Sequence, residues 1–416
     1  MAKKIQFVSF KWEAGMKNRI PERWVIEGKL SVILDLIRWA AALVVVLSHV
    51  KGLFFLNYSE LANPAWYLKP LYAISSLGHQ AVMVFFVLSG MLISANVMKL
   101  VEKGRWSWSG YLLHRLTRLY VVLLPALLLG LLWDHAGASA YGGTGVYEGL
   151  PEDRFILDYS SADLLTSTEF LGNLLFLQGI AVAHFGSNGP LWSLSFEFWY
   201  YILFPCMVLA IGSRANSRKL LYALAAVGIA FLMGERMLLY YIIWLLGFAL
   251  HLLPAKLSRA GIAGAILCPL LALAALGGSR FYAVPMSEFS QDLLLALAFS
   301  GVLYCVKLVY YRKPAPSPTI RQTASSLAGY SYSLYLTHFP ILVFLHAMAY
   351  DRNAQKWQPD AIHLAYGAVL FVGVSVYAWM LAQLTEKQTA KARRFLERMV
   401  LRPPSSRKRS FYNQIK

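Results

Sequence analysis

The chain is 416 residues long, 58% hydrophobic and only 14% charged, yet it carries a formal charge of +18. That much apolar content with so little charge excludes an ordinary soluble domain, and several runs approach the ~20 apolar residues that span a bilayer. In a soluble chain the positive charge would suggest nucleic acid. Loops on the cytoplasmic face of a membrane collect Lys and Arg as well, no nucleic-acid motif accompanies the charge, and no nucleic-acid partner is expected.

Residues 1–30 mix seven Lys/Arg with Phe7, Phe10, Trp12, Trp24 and Ile26, a basic arm suited to the inner leaflet. No cleavable signal is expected there. Spans are predicted at 33–53, 78–98, 112–133, 190–212, 218–234, 237–253, 260–277, 290–310, 328–349 and 363–384, an all-α polytopic membrane protein with about ten transmembrane helices. Basic residues concentrate in alternate loops: Lys99, Lys103 and Arg105; Arg214, Arg218 and Lys219; Lys256 and Arg259; Lys307, Arg312, Lys313 and Arg321. The positive-inside rule then puts both termini in the cytoplasm and the long, acid-containing connection 134–189 outside, where long loops often cover or bind substrate. Its stretch Phe170–Ile180 is too short to span and reads as an interfacial or re-entrant helix. The membrane domain thus runs over 31–385. The tail 386–416 starts as a basic helix and ends Pro/Ser/Arg-rich, suited to lipid head groups. Cys206, Cys268 and Cys305 sit far apart in apolar runs, a pattern of buried small side chains with neither metal spacing nor a disulfide framework. No metal site is expected.

Five stretches carry chemistry. In LDLIRWAAALVVVLSH (34–49), Arg38 and His49 are eleven residues apart and fall about 20° apart on an ideal helix, separated by about 16 Å of rise. Asp35 lies on the same face. Ionisable groups in a membrane helix face protein or a wet cavity, so this stripe is either a structural Asp–Arg pair with a polar histidine or a catalytic or transport path. In HQAVMVFFVLSGMLI (79–93), Ser89 and Gly90 mark close helix packing or backbone approach to a ligand. In YLLHRLTRLYVVLLP (111–125), Arg115 and Arg118 are i,i+3 neighbours near a helix N-terminus, suited to phosphate or to interfacial snorkelling. In NGPLWSLSFEFWYYILFP (188–205), Glu197 is a buried acid on one stripe with Ser193 and Tyr200, following Trp192. In GYSYSLYLTHFPILVF (329–344), Ser331, Tyr335 and His338 share a face, and Pro340 removes the backbone bond to residue 336 and is expected to bend the helix.

Taken together, LDLIRWAAALVVVLSH, VMVFFVLSGMLI, RLTRLY, LWSLSFEFWYYILFP and YSYSLYLTHFPI resemble, in order and over about 31–385, the acyltransferase-3 family of integral membrane proteins. The resemblance implies ten helices, a cytoplasmic acyl-coenzyme A donor rather than a permanently bound cofactor, and a carbohydrate hydroxyl as acceptor outside the membrane. By motif, Arg38 and the essential His49 form the Arg–His pair, Arg115 and Arg118 the paired arginines, and Glu197 the buried acid. The family often has a second acid after this one, where this chain has Phe198. No esterase-like domain is expected after the last helix, which leaves the acceptor to the membrane domain, its outer loop or a partner protein.

The expected function is transfer of an acyl group, acetyl by preference, from acetyl-coenzyme A to a hydroxyl of an extracytoplasmic or lipid-linked glycan in the bacterial inner membrane. His49, Glu197, Arg38 and Asp35 are the catalytic candidates, with His49 as general base and Glu197 orienting it or holding the acceptor. Arg115, Arg118, Ser89 and Gly90 are the donor-binding candidates, and Trp192, Ser193, Tyr200, Tyr335 and His338 the acceptor-binding ones. The rival class is a proton-coupled secondary transporter, although no pair of broken helices in corresponding halves points to an inverted repeat.

Overall fold

A computed structural model describes residues 26–149, 157, 159–213, 215–253, 286–310, 313–314, 316–353 and 355–400, with scattered positions between 263 and 274. The predicted N-terminal arm up to residue 25, most of the predicted span 260–277 and the tail beyond 400 lie outside the described residues. The helices are α1 (Gly28–Phe54), α2 (Leu68–Ser75), α3 (Gly78–Glu102), α4 (Trp108–Tyr141), α5 (Ser167–Leu174), α6 (Trp192–Gly212), α7 (Asn216–Leu252), α8 (Glu288–Tyr310), α9 (Pro318–Asn353), α10 (Ala361–Leu384) and α11 (Thr389–Val400). Among the described residues, eight helices are long and apolar enough to cross a membrane. The protein is all-α and polytopic, as its composition predicts.

The predicted fifth and sixth spans both fall on α7, which is interrupted at Gly234 (φ 71°, ψ 177°). A side chain is strained at that φ, so glycine is what the break requires. His79 and Asp292 pair the starts of α3 and α8, and α4 begins where α3 ends. The Trp108 indole meets Tyr222 near the start of α7, while Lys307 near the end of α8 donates to the Leu250 carbonyl near the end of α7. Both ends of α7 therefore lie at one side of the bundle and Gly234 at the other, and its two halves run antiparallel.

Helices α3 and α7 cross backbone to backbone. A Cβ on Gly90 would collide with the Trp244 carbonyl, and one on Gly247 with the Val87 carbonyl and the Met91 amide. Small residues permit this approach in a membrane, where van der Waals packing replaces the hydrophobic drive.

Helix prolines leave carbonyls without their usual partner, and for two of them other elements supply one. Pro340 frees the Leu336 carbonyl, which accepts from Asn188 Nδ2 at 2.9 Å. Pro205 frees the Tyr201 carbonyl, which accepts from the Tyr111 hydroxyl at 3.0 Å. Helix α9 runs on through Pro340 to Asn353, so the missing backbone bond does not end it.

The connection after α4 folds back onto the bundle. Asp134 accepts from the Ser187 amide and hydroxyl at 2.7 and 2.6 Å. The stretch predicted as an interfacial or re-entrant helix divides into the end of α5 and a turn at Phe176 (φ 58°). The Phe176 carbonyl then accepts from Ser195 Oγ and Trp199 Nε1 of α6 at 2.8 and 2.9 Å.

Candidate active site

Five helices enclose a cavity of about 260 Å³. Its polar wall combines Arg38 of α1, Ser89 of α3, Arg115 and Arg118 of α4, Ser193, Glu197 and Tyr201 of α6, and Ser331, Tyr332 and Tyr335 of α9. Helical spacing explains each contribution: Arg115 and Arg118 are i,i+3 on α4, and Ser193, Glu197 and Tyr201 follow at steps of four on α6. Residues from separate sequence motifs thus meet in one space.

The charges in it are unequal. Arg38 has Asp35 at 3.7 Å. Glu197 accepts hydrogen bonds from the Tyr201 hydroxyl and from Ser89 Oγ, the latter at 3.0 Å. Ser89 accepts in turn from the Trp244 indole at 3.2 Å, a contact that the Gly90–Trp244 crossing makes possible. The Arg115 guanidinium lies over the Tyr111 and Tyr201 rings at 5.6 and 5.7 Å, and its Nε has no hydrogen-bond partner. Arg118 lies in the field of Glu197 and of Glu386, a carboxylate just past α10 that is anchored on the Ser333 hydroxyl at 3.1 Å. Three guanidiniums sharing so few acids make a site for an anion.

His49 and His338 stand beside this cavity, behind Tyr335, whose ring centre is 6.1 Å from that of His338. His49 Nδ1 is 2.8 Å from His338 Nε2. His338 Nδ1 faces only the carbonyls of Leu334 and Tyr335, at 2.9 and 2.8 Å. Carbonyls can only accept, so in the neutral pair Nδ1 of His338 carries the proton and its Nε2 accepts from Nδ1–H of His49. The lone pair of His49 is thereby assigned to Nε2, and the residue as a whole is half-buried.

The cavity gathers seven of the predicted site residues: Arg38, Ser89, Arg115, Arg118, Ser193, Glu197 and Tyr335. The others lie elsewhere. Gly90 is taken up by packing against Trp244, not by a ligand. Tyr200 is turned toward α7, where its hydroxyl donates to the Met237 carbonyl at 2.7 Å. Trp192 stacks on His79 at 5.7 Å, with the Arg236 guanidinium 5.8 Å from its ring. His338, predicted as an acceptor contact, is fully buried and holds His49 instead. Glu197, predicted to orient His49 or hold the acceptor, has Tyr201 and Ser89 as its partners. Sequence reading missed Tyr201, Trp244 and Glu386. Only Tyr201 had a signal, its i+4 spacing from Glu197.

A family model described as an acyltransferase domain matches residues 32–380. Acyltransferase MdmB of Streptomyces mycarofaciens is 24% identical over 375 residues, covering 81% of this chain and 86% of that protein. An O-acetyl transferase of Shigella phage Sf6 is 23% identical over 337 residues, covering 74% of this chain and 83% of that protein. No solved structure matches the chain significantly. With the family model spanning the helices that build both the cavity and the histidine pair, the chain belongs to the acyltransferase-3 family of membrane acyltransferases.

Proposed function

We propose that the protein transfers an acyl group, acetyl by preference, from cytoplasmic acyl-coenzyme A to a hydroxyl of an extracytoplasmic or lipid-linked glycan. The observation that carries this reading is the juxtaposition of an arginine-rich cavity with a histidine whose lone pair is assigned. Arg115 and Arg118 suit the donor's phosphates, and Arg38 adds a third cation beside them. His49 Nε2 takes the proton of the acceptor hydroxyl as its oxygen attacks the thioester carbonyl. The carbon–sulfur bond then breaks, and the thiolate recovers that proton from His49. His338 holds the base in the competent tautomer. Ser193 and Tyr335, hydrogen-bonded to each other at 2.7 Å, shape the wall between cavity and base. Burial among helices excludes water and protects the thioester from hydrolysis.

The test is turnover of radiolabelled acetyl-coenzyme A by the protein in proteoliposomes containing a glycan extract. Release of free thiol together with ester-linked label on glycan is expected. Label crossing the membrane with its thioester intact would mark a transporter and overturn the reading.

A further inference from the structure

Apart from the cavity, a second polar cluster joins the starts of α3 and α8 to α7. Glu288 and Asp292 are i,i+4 neighbours on α8 and both reach the same ring nitrogen. His79 Nε2 lies 2.8 Å from Asp292 Oδ2 and 3.4 Å from Glu288 Oε1. A ring nitrogen has one proton or one lone pair to offer, so it cannot satisfy two carboxylates. The same Oδ2 also accepts from the Tyr240 hydroxyl at 2.7 Å. The other oxygen, Oδ1, has no hydrogen-bond partner, although Asp292 is 0% exposed. One oxygen of a wholly buried carboxylate is thus doubly engaged while the other is left unmet, an arrangement that buried polar groups otherwise avoid.

A divalent cation between the ring nitrogen and the two carboxylates meets the first anomaly, and binding through both oxygens of Asp292 would meet the second. The ligand atoms of His79, Glu288 and Asp292 lie within 4.8 Å of one another, so a small side-chain rotation would bring them to the roughly 3.3–3.6 Å at which ligands bound about 2.0–2.2 Å from one tetrahedral ion stand apart. We infer that these three residues form a divalent-cation site of the zinc type. An imidazole with two carboxylates suits Zn²⁺ better than Mg²⁺ or Ca²⁺, which prefer all-oxygen sets. Glu288, the exposed member, is the one through which an ion would enter and leave. The bound ion would tie α3 to α8, with Tyr240 of α7 hydrogen-bonded to one ligand and Trp192 of α6 stacked on the other side of His79. None of the three ligands lines the cavity, so this inference stands or falls apart from the proposed transfer reaction.

The experiment uses tag-free full-length protein in detergent, stripped with a chelator and then titrated with Zn²⁺ against a chromophoric competitor. Glu288→Gln is the main variant, because that side chain is 66% exposed and its loss spares the core. His79→Gln is the second. Wild type should take up one equivalent of Zn²⁺ and unfold at a higher temperature with it. Losing a direct ligand should weaken binding at least as much as losing an outer-shell partner, roughly 10- to 100-fold, in each variant. Uptake by wild type that is absent, or equal to that of both variants, would overturn the site.

Discussion

At the scale of single residues, the histidine pair makes the sharpest prediction. His49→Ala should lower turnover by about 10²–10⁴-fold, the range of general-base catalysis, while the protein stays folded and inserted. Turnover near wild type would remove His49 from the mechanism. The arginines separate binding from chemistry. Arg115→Ala and Arg118→Ala should each weaken acyl-coenzyme A binding by about 1.5–3 kcal/mol through lost charge-assisted phosphate contacts. A dephosphorylated donor analogue should lose less, and an equal loss would sink the phosphate assignment. These residues were legible because each is an ionisable side chain set in an apolar run, where burial needs a reason. What holds them was not. His49 and His338 are 289 positions apart, and nothing local in either stretch reports the other. Tyr201, Trp244 and Glu386 were passed over because an aromatic ring or a post-helix acid is ordinary until its neighbours are known. The metal cluster hid for the same reason, since its histidine lies 213 positions from its buried aspartate.

At the scale of elements, the freed carbonyl behind Pro340 can be tested by a double-mutant cycle. Asn188→Ala leaves a buried carbonyl without a donor and should cost about 1–3 kcal/mol of stability. Pro340→Ala restores an N–H four residues on, so Asn188→Ala should cost less in that background. Additive effects, measured by thermal unfolding in detergent, would show that Asn188 does not serve this carbonyl. The sequence signalled the broken backbone bond, because proline lacks the donor whatever surrounds it. It could not signal the rescuer, which belongs to another segment. Helix α7 reverses the lesson: two apolar runs were legible as two spans, 218–234 and 237–253, and the break at Gly234 falls at the edge of their predicted joint.

At the scale of the whole molecule, charge distribution sets sidedness. Single reporter cysteines at Gly143 and Lys103, in an otherwise cysteine-free chain, place the connection after α4 and the end of α3 on opposite faces. An impermeant thiol reagent applied to intact cells should label the first and spare the second. Labelling of Lys103 from outside would overturn the topology.

The hydrogen bonds around the histidine pair also have an electrical consequence. Of its four ring nitrogens, three are engaged by one another or by backbone carbonyls, which leaves room for a single additional proton. On the proposed route that proton leaves a hydroxyl at the outer face and ends on the thiol released at the inner face. Each acyl group carried outward is then matched by one proton carried inward, and because each takes the other's place, on oxygen and on sulfur, no net charge crosses the membrane. A charge crossing the full field is worth about 2.3 kcal/mol per 100 mV, but an exchange that moves none is indifferent to the membrane potential. In sealed vesicles supplied with donor on the cytoplasmic side, turnover should therefore stay the same when a potassium diffusion potential of either sign is imposed. Turnover that rose with one sign and fell with the other would mean that the proton returns to the side from which it came.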